Sequence, residues 1–355
     1  MYKMWFMFIY MPIKYKTKEY YRKGVWEIME NVTGPFIHTK NTKEKIKKSI
    51  LISLLPLILF AFYKNGIVLF FSGKVGFIDS IYPLLLIFIC MISMFIFDIL
   101  YTMILRKDNV NIKKYIKTSY SFIPGIILGL IIPIKTPIII IILSCFISVT
   151  IDKVLNKITN KNILNTVALS FLVIAIFSIL NGGYSYLNSY EATKYNSAPI
   201  ENTTITDFSY EQNIKQYGSL KQFFVGNVPG GIGEVSILFT IIGFLYLIMK
   251  KSIKNIIPVT IFITLFLGLS LTAFINNLDI YFVIFNLFTG SIIFSSIYIC
   301  SEMTTTPVTK FGQILYGIIV AILTIIFRFI IPFGDIFLAT IIADLLVPVI
   351  NNLCI

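Results

Sequence analysis

Residues 255–274 read NIIPVTIFITLFLGLSLTAF, a run of twenty residues without a charged side chain. A helix needs about 20 apolar residues to cross the hydrocarbon core of a bilayer, so this stretch predicts a transmembrane helix. Comparable runs recur along the chain and predict an all-α fold, a polytopic transmembrane helical bundle of about ten spans. The predicted spans are 49–64, 80–105, 120–134, 136–152, 166–182, 231–249, 255–274, 279–299, 312–332 and 334–352.

The overall composition agrees with a membrane protein. Hydrophobic residues make up 57% and charged residues 13% of the 355 residues, and the mean hydropathy is +0.85. Typical soluble domains carry about 25% charged residues. The composition therefore argues against a soluble fold, but it indicates no particular function.

The formal net charge of +13 comes from basic residues concentrated in short segments between apolar runs, at 40–48, 106–117, 153–161 and 250–254. With ten spans, all four segments fall on one side, as the positive-inside rule expects of cytoplasmic loops. This arrangement predicts that both termini are cytoplasmic. The same distribution predicts membrane lipid as a partner and argues against nucleic-acid binding, because the basic residues orient the chain and form no basic binding face.

The predicted spans divide the chain into four regions. Residues 1–48 form a cytoplasmic N-terminal arm, in which Met29 is an alternative start. Residues 49–182 form a first membrane half of about five spans, 183–230 an extracytoplasmic loop, and 231–352 a second half of about five spans. The runs 120–134 and 136–152 are short and adjoin each other, so a hairpin or re-entrant pair is an alternative to two full spans there.

Cysteine and histidine usage limits the chemistry of the chain. Cys90, Cys145, Cys300 and Cys354 lie in or beside apolar runs without CxxC spacing, which predicts reduced packing residues and no metal centre. His38 is the only histidine, so the chain has no multi-histidine metal or haem site. No nicotinamide fingerprint is present, and no catalytic residue is predicted for the chain alone.

The candidate ionisable side chains inside predicted spans are Asp98, Glu234, Arg328 and Asp344. Charged groups at membrane depth cost about 2.5–3.5 kcal/mol on insertion scales. Asp98 and Glu234 therefore have two interpretations, an ion path or a hydrogen bond that holds a helix end, of which we favour the second. Arg328 precedes Pro332 by four residues, which favours a side chain extended to the outer interface.

The densest local motif is GNVPGGIGEVS at residues 226–236, which leads into the sixth predicted span. Glycines permit a tight bend and close helix packing. Exposed N–H groups at the start of a helix could instead hold an anion such as phosphate. Because no strand precedes the motif, it is not a dinucleotide fingerprint, and the two other interpretations remain open.

Three stretches carry a family resemblance: 34–66, 226–259 and 304–350. They resemble RnfD, the D subunit of the Rnf ion-translocating electron transport complex, which is related to the B subunit of the sodium-pumping NADH:quinone reductase. The resemblance covers most of residues 30–352. A Gly-x-x-Gly-Glu-x-Ser-like family element is similar to Gly230, Gly233, Glu234 and Ser236. The family segment Ala-Thr-Asp-Pro-Val-Thr is similar to residues 304–309, with Thr306 in place of the acid.

The middle third departs from the family where the family binds flavin. The family segment Gly-Gly-Leu-Gly-Gln-Asn-x-Phe-Asn-Pro-Ala corresponds to KITNKNILNTV at 157–167, which keeps only Asn162 and Asn165. The resemblance implies that these two asparagines, together with Gly230, Gly233 and Glu234, contribute to cofactor binding.

The resemblance also implies FMN esterified through its phosphate to a threonine in the outer loop. One alignment places Thr193 at the attachment position, whereas another aligns 196–200 with the family motif and finds the threonine deleted. Covalent FMN at Thr193 and an ordinary solvated threonine are therefore both open interpretations.

As a whole, the resemblance implies a multi-pass cell (inner) membrane subunit that works with the other subunits of an Rnf-like complex. Such a complex couples electron transfer between ferredoxin and NAD to sodium or proton transport through flavin. Two alternatives remain, a divergent scaffold subunit without covalent flavin and a non-redox membrane transporter.

Overall fold

The computed structural model describes residues 43–105, 121–159, 162–180, 208–331 and 334–354. The predictions for residues 1–42, for His38 and for Thr193 lie outside these ranges. Within them, regular secondary structure is helical and no strand occurs, as the sequence predicted.

The described residues of the first half contain five helices. Helix α1 comprises Lys43–Phe62, a π-helical turn at Tyr63–Ile67 and a last turn at Val68–Phe71. It is followed by α2 at Phe77–Leu105, α3 at Phe122–Ile131, α4 at Ile138–Thr159 and α5 at Thr166–Leu180.

The second half begins with two short helices that lie outside the predicted spans, α6 at Tyr210–Asn213 and α7 at Leu220–Val225, with a 3₁₀ turn at Lys215–Tyr217 between them. The predicted spans of this half then follow in order. They are α8 at Ile237–Met249, α9 at Ile256–Ile275, α10 at Ile280–Phe288, α11 at Ile292–Tyr298, α12 at Lys310–Arg328 and α13 at Asp335–Leu353.

Each of the ten predicted apolar runs coincides with a helix or, for α10 and α11, with a helix pair. Among the described residues, six helices are long and apolar enough to cross a membrane, or seven if α10 and α11, bent by 49°, count as one span. Helices α3, α5 and α8 are shorter. The structure thus supports a multi-pass helical membrane protein, while ten spans and cytoplasmic termini stay predictions.

Helix α3 is the clearest departure from a simple span. Its ten residues are about 15 Å long, half of a hydrocarbon core of about 30 Å. Its backbone then continues through an irregular stretch to α4, which at 22 residues is longer than the predicted run 136–152. The re-entrant interpretation therefore suits α3, but the prediction that the second run is short was wrong.

The two halves repeat one packing order. In the first half α2 packs against α3 and α4, and α4 packs against α5. In the second half α9 packs against the α10–α11 pair and α12, and α12 packs against α13. Corresponding helices also meet across the halves, α1 with α8 and α5 with α13. This repeat is visible in the packing although the sequence shows no obvious internal repeat.

The interior is apolar, and one large hydrophobic cluster draws on both halves. The predicted packing role of Cys90, Cys145 and Cys300 is confirmed by their burial in this cluster. Large hydrophobic side chains also cover the outside of the long helices; Leu59, for example, is 67% exposed and Ile139 is 72% exposed. An apolar exterior of this kind suits contact with lipid.

Candidate functional site

The glycine-rich segment, residues 226–236, crosses the interior between the halves and hydrogen-bonds to the end of α3. The Gly233 amide donates to the Leu130 carbonyl at 2.8 Å, and the Ile232 amide donates to the Ile132 carbonyl at 3.0 Å. A Cβ atom on Gly231 would lie 2.1 Å from the carbonyl oxygen of Ile131. Glycine at 231 therefore allows two stretches of backbone to approach more closely than any side chain would permit.

The π-helical turn of α1 satisfies the carbonyl groups of the same segment. The Lys64 ammonium donates to the Val228 carbonyl at 2.6 Å, and the Asn65 amide donates to the Ile232 carbonyl at 2.8 Å. Both side chains are buried. The predicted end of the first span at residue 64 was wrong, because α1 continues to Phe71.

Glu234 is held inside the protein at the end of this segment. Its carboxylate accepts a hydrogen bond from the Gly231 amide at 3.1 Å and another from the Ser291 hydroxyl. Ser291 lies in the break between α10 and α11. The carboxylate therefore joins the glycine-rich segment to the bent helix pair, which supports the predicted role of Glu234 in holding a helix end.

A cavity of about 50 Å³ adjoins this carboxylate. Its wall includes Glu234, Thr289 and Ser291, with Phe171 of α5 on the side of the first half. Ligand pockets generally measure about 300–1,000 Å³, whereas a water needs only about 10–15 Å³. The cavity, which Gly230 and Glu234 help to line, fits a few waters or an ion and is smaller than a typical ligand pocket.

A second buried charged group lies next to this cavity. Arg328 is 2% exposed and Asp335 is 1% exposed, with 3.3 Å between Nη1 and Oδ2. The guanidinium also donates through Nη2 to the Thr289 hydroxyl at 2.8 Å. The prediction that Arg328 extends to the outer interface was therefore wrong, because a buried carboxylate provides a partner inside the protein.

Asp98 is paired in a separate cluster. Its carboxylate forms an ion pair with Lys153 of α4 and accepts a hydrogen bond from the Ser121 hydroxyl at the start of α3. These contacts tie α2 to its two neighbours. Of the two interpretations of Asp98, the structure favours the structural one.

Asn165 and Asp344 belong to a third cluster, where α5 begins. The backbone amide of Asn165 donates to the Asp344 carboxylate at 2.9 Å, and the side-chain amide of Asn165 donates to the Glu302 carboxylate at 2.6 Å. The Tyr316 hydroxyl donates to the other oxygen of Asp344 at 2.7 Å. Loss of solvent raises the pKa of the Glu302 carboxyl, and hydrogen bonds from Thr304 and Asn165 act in the opposite direction.

The structure thus separates the residues predicted to bind a cofactor. Gly230, Gly233 and Glu234 lie in the glycine-rich segment, whereas Asn165 caps α5 and binds two carboxylates. Asn162 is exposed and accepts a hydrogen bond from Asn156. Sequence reasoning missed Lys64 and Asp335, although a single charge inside an apolar run is the signal that would have identified both.

In the part of the chain that the structure describes, apolar helices, an apolar exterior and charged residues paired in the interior define a multi-pass helical membrane protein. A model of the NQR2, RnfD, RnfE family matches residues 31–355, so the chain belongs to that family.

Individual relatives match over shorter stretches. A Clostridium ljungdahlii protein, named as the D subunit of a proton-translocating ferredoxin:NAD(+) oxidoreductase complex, is 30% identical over 125 residues, 34% of this chain and 37% of that protein. An Actinobacillus succinogenes protein, named as the D subunit of an ion-translocating oxidoreductase complex, is 30% identical over 135 residues, 36% of this chain and 37% of that protein. The chain thus matches little more than a third of the length of these relatives.

Proposed function

We propose that the chain is a membrane subunit of an Rnf-like ion-translocating oxidoreductase complex in the cell (inner) membrane, where it works with the other subunits. Family membership over residues 31–355 carries this proposal. The name of the Clostridium ljungdahlii relative adds the expected reaction, electron transfer between ferredoxin and NAD coupled to proton transport. The name of the Actinobacillus succinogenes relative adds ion translocation by an oxidoreductase complex.

Within this proposal, Glu234 is, among the residues that the structure describes, the one best placed to bind a transported proton or sodium ion. Its carboxylate borders the cavity between α5 and the second half and accepts hydrogen bonds from Ser291 and Gly231. Lys64 lies close enough to interact with it electrostatically. A buried carboxylate beside a space of ion size can exchange a proton or a cation without unfolding its surroundings.

We expect Glu234→Gln to reduce ion uptake per electron to roughly a tenth or less, because the amide accepts hydrogen bonds but carries no charge. The measurement is uptake of sodium or protons by proteoliposomes that contain the whole complex and an electron donor. Glu211→Gln is the matched control, since Glu211 is exposed on α6 and pairs with Lys215. If Glu234→Gln takes up as many ions per electron as the wild type, Glu234 is not part of the ion path.

Covalent FMN at Thr193 is the second part of the proposal, and a scaffold subunit without covalent flavin is its alternative. When bound, the flavin would supply one-electron chemistry between donors and acceptors in other subunits. The attachment rests on the family resemblance of the outer loop.

We expect ultraviolet fluorescence from the denatured protein in a gel, lost completely in Thr193→Val, after co-expression with the flavin transferase and partner subunits. Thr204→Val, in the same loop, serves as the control and should keep the signal. Peptide mass mapping of 183–229 locates the modification. A complex that assembles without fluorescence would establish the scaffold alternative.

A non-redox transporter is the second candidate function, and the repeated packing order favours it. Many transporters are built from two structural repeats, with bent helices at the site between them, and α10 and α11 are bent by 49°. Ion uptake by proteoliposomes of the purified chain without an electron donor would support this candidate. Uptake that requires the donor and the partner subunits would support the oxidoreductase complex.

A further inference from the structure

Lys254, in the connection between α8 and α9, directs its ammonium group into a turn between α11 and α12. Four oxygen atoms surround the Nζ atom. They are the Thr306 hydroxyl at 2.8 Å, the Thr306 carbonyl at 3.1 Å, the Pro307 carbonyl at 3.2 Å and the Met303 carbonyl at 3.3 Å. A lysine ammonium has three N–H donors, so these acceptors outnumber its donors.

The Thr306 hydroxyl is positioned by a second hydrogen bond. The Thr306 hydroxyl donates to the Glu302 carbonyl at 2.6 Å, which leaves its lone pairs free to face the ammonium. Thr306 and Pro307 are buried. Burial lowers the pKa of Lys254, whereas oxygen atoms that accept hydrogen bonds from the ammonium favour its charged form.

Uncharged oxygen ligands of this kind can also bind a monovalent cation. Backbone carbonyls, which carry no net charge, replace the hydration shell of K⁺ in selectivity filters. An ammonium and a potassium ion both attract carbonyl and hydroxyl oxygens through a single positive charge. The turn at 303–307 therefore offers an ion the same ligands that it offers Lys254.

We propose that the oxygen atoms of Met303, Thr306 and Pro307 form a monovalent-cation site in which the Lys254 ammonium is a built-in occupant. Lys254 thereby links the α8–α9 connection to the α11–α12 connection. This link does not require a cation from the medium. This site is independent of the oxidoreductase function proposed above.

Replacing the lysine should convert the protein into one that binds K⁺ at this site. We expect the thermal midpoint of purified Lys254→Met to rise by about 3 °C or more between about 1 mM and about 100 mM KCl, since a ligand that binds only the folded state stabilises it. Lithium chloride or N-methylglucamine chloride at equal ionic strength should have no such effect. The wild type and the exposed control Lys250→Met should respond equally to all three salts.

The Thr306 hydroxyl provides a second test. In the double variant Lys254→Met/Thr306→Val one of the four ligands is removed, so the K⁺ concentration needed for half of the stabilisation should rise several-fold. An unselective response of Lys254→Met to the three salts would overturn the proposal. Lys254→Gln replaces Lys254→Met if the latter does not accumulate. If neither variant accumulates as folded protein in cells rich in K⁺, the proposal is also overturned, since K⁺ from the cell should then occupy the site.

Discussion

Arg328→Met is expected to destabilise the folded protein by about 3–5 kcal/mol, because it leaves the buried carboxylate of Asp335 without a cation. Asp335 is 1% exposed, and its Oδ2 atom lies 3.3 Å from Nη1 of Arg328. Asp335→Asn should have a comparable effect, since it leaves the guanidinium unpaired. The measurement is the thermal midpoint of the detergent-purified protein together with the yield of folded protein.

The double variant Arg328→Met/Asp335→Asn distinguishes the ion pair from the general packing of the site. Replacing both charges removes the uncompensated group, so the double variant should be more stable than either single variant. Arg328→Lys keeps the charge but loses the planar guanidinium that reaches both Asp335 and Thr289. Losses that simply add in the double variant would show that the two charges do not stabilise each other.

The positions of the helices could be predicted because the length of an apolar run is a local property. A run such as 255–274 needs no knowledge of its neighbours to indicate helix α9, Ile256–Ile275. Breaks inside such a run are different. The run 279–299 is apolar enough on average to be predicted as one span, yet it contains Thr289, Gly290 and Ser291. Its helix is interrupted there, and Ser291 has a φ of 61°. Hydropathy does not indicate this break, because it depends on contacts with Glu234.

The candidate site was predictable in part. Glu234 was identified as a charged residue inside the glycine-rich motif, and the structure places its side chain beside a cavity. Its surroundings come from distant parts of the chain, since Lys64 and Ser291 are 170 and 57 positions away in sequence. One sequence gives no direct information on such pairings. Asp335 is different, since it lies only seven positions after Arg328, and it was missed because it was not weighed as a charge inside an apolar run.

Gly231→Ala is expected to destabilise the protein by at least about 3 kcal/mol, the upper part of the usual range for overpacking. The added Cβ would lie 2.1 Å from the Ile131 carbonyl oxygen and 2.7 Å from its carbonyl carbon. Both are backbone atoms, which cannot turn away as the end of a side chain can. Separating the two stretches would also break the hydrogen bonds from Ile232 and Gly233 to the end of α3, each worth about 1 kcal/mol.

Two other glycines of the chain provide graded controls for this prediction. A Cβ on Gly233 would meet the Cδ2 atom of Leu130, the mobile end of a side chain, so Gly233→Ala should cost less. Gly76 is exposed, and a Cβ there would lie 3.5 Å from Asp79, so Gly76→Ala should be neutral. Thermal midpoints and yields of the three variants test the order. If Gly231→Ala were as stable as Gly76→Ala, the glycine-rich segment could not lie against the backbone of α3 as described, and the position of Glu234 beside the cavity would lose its support.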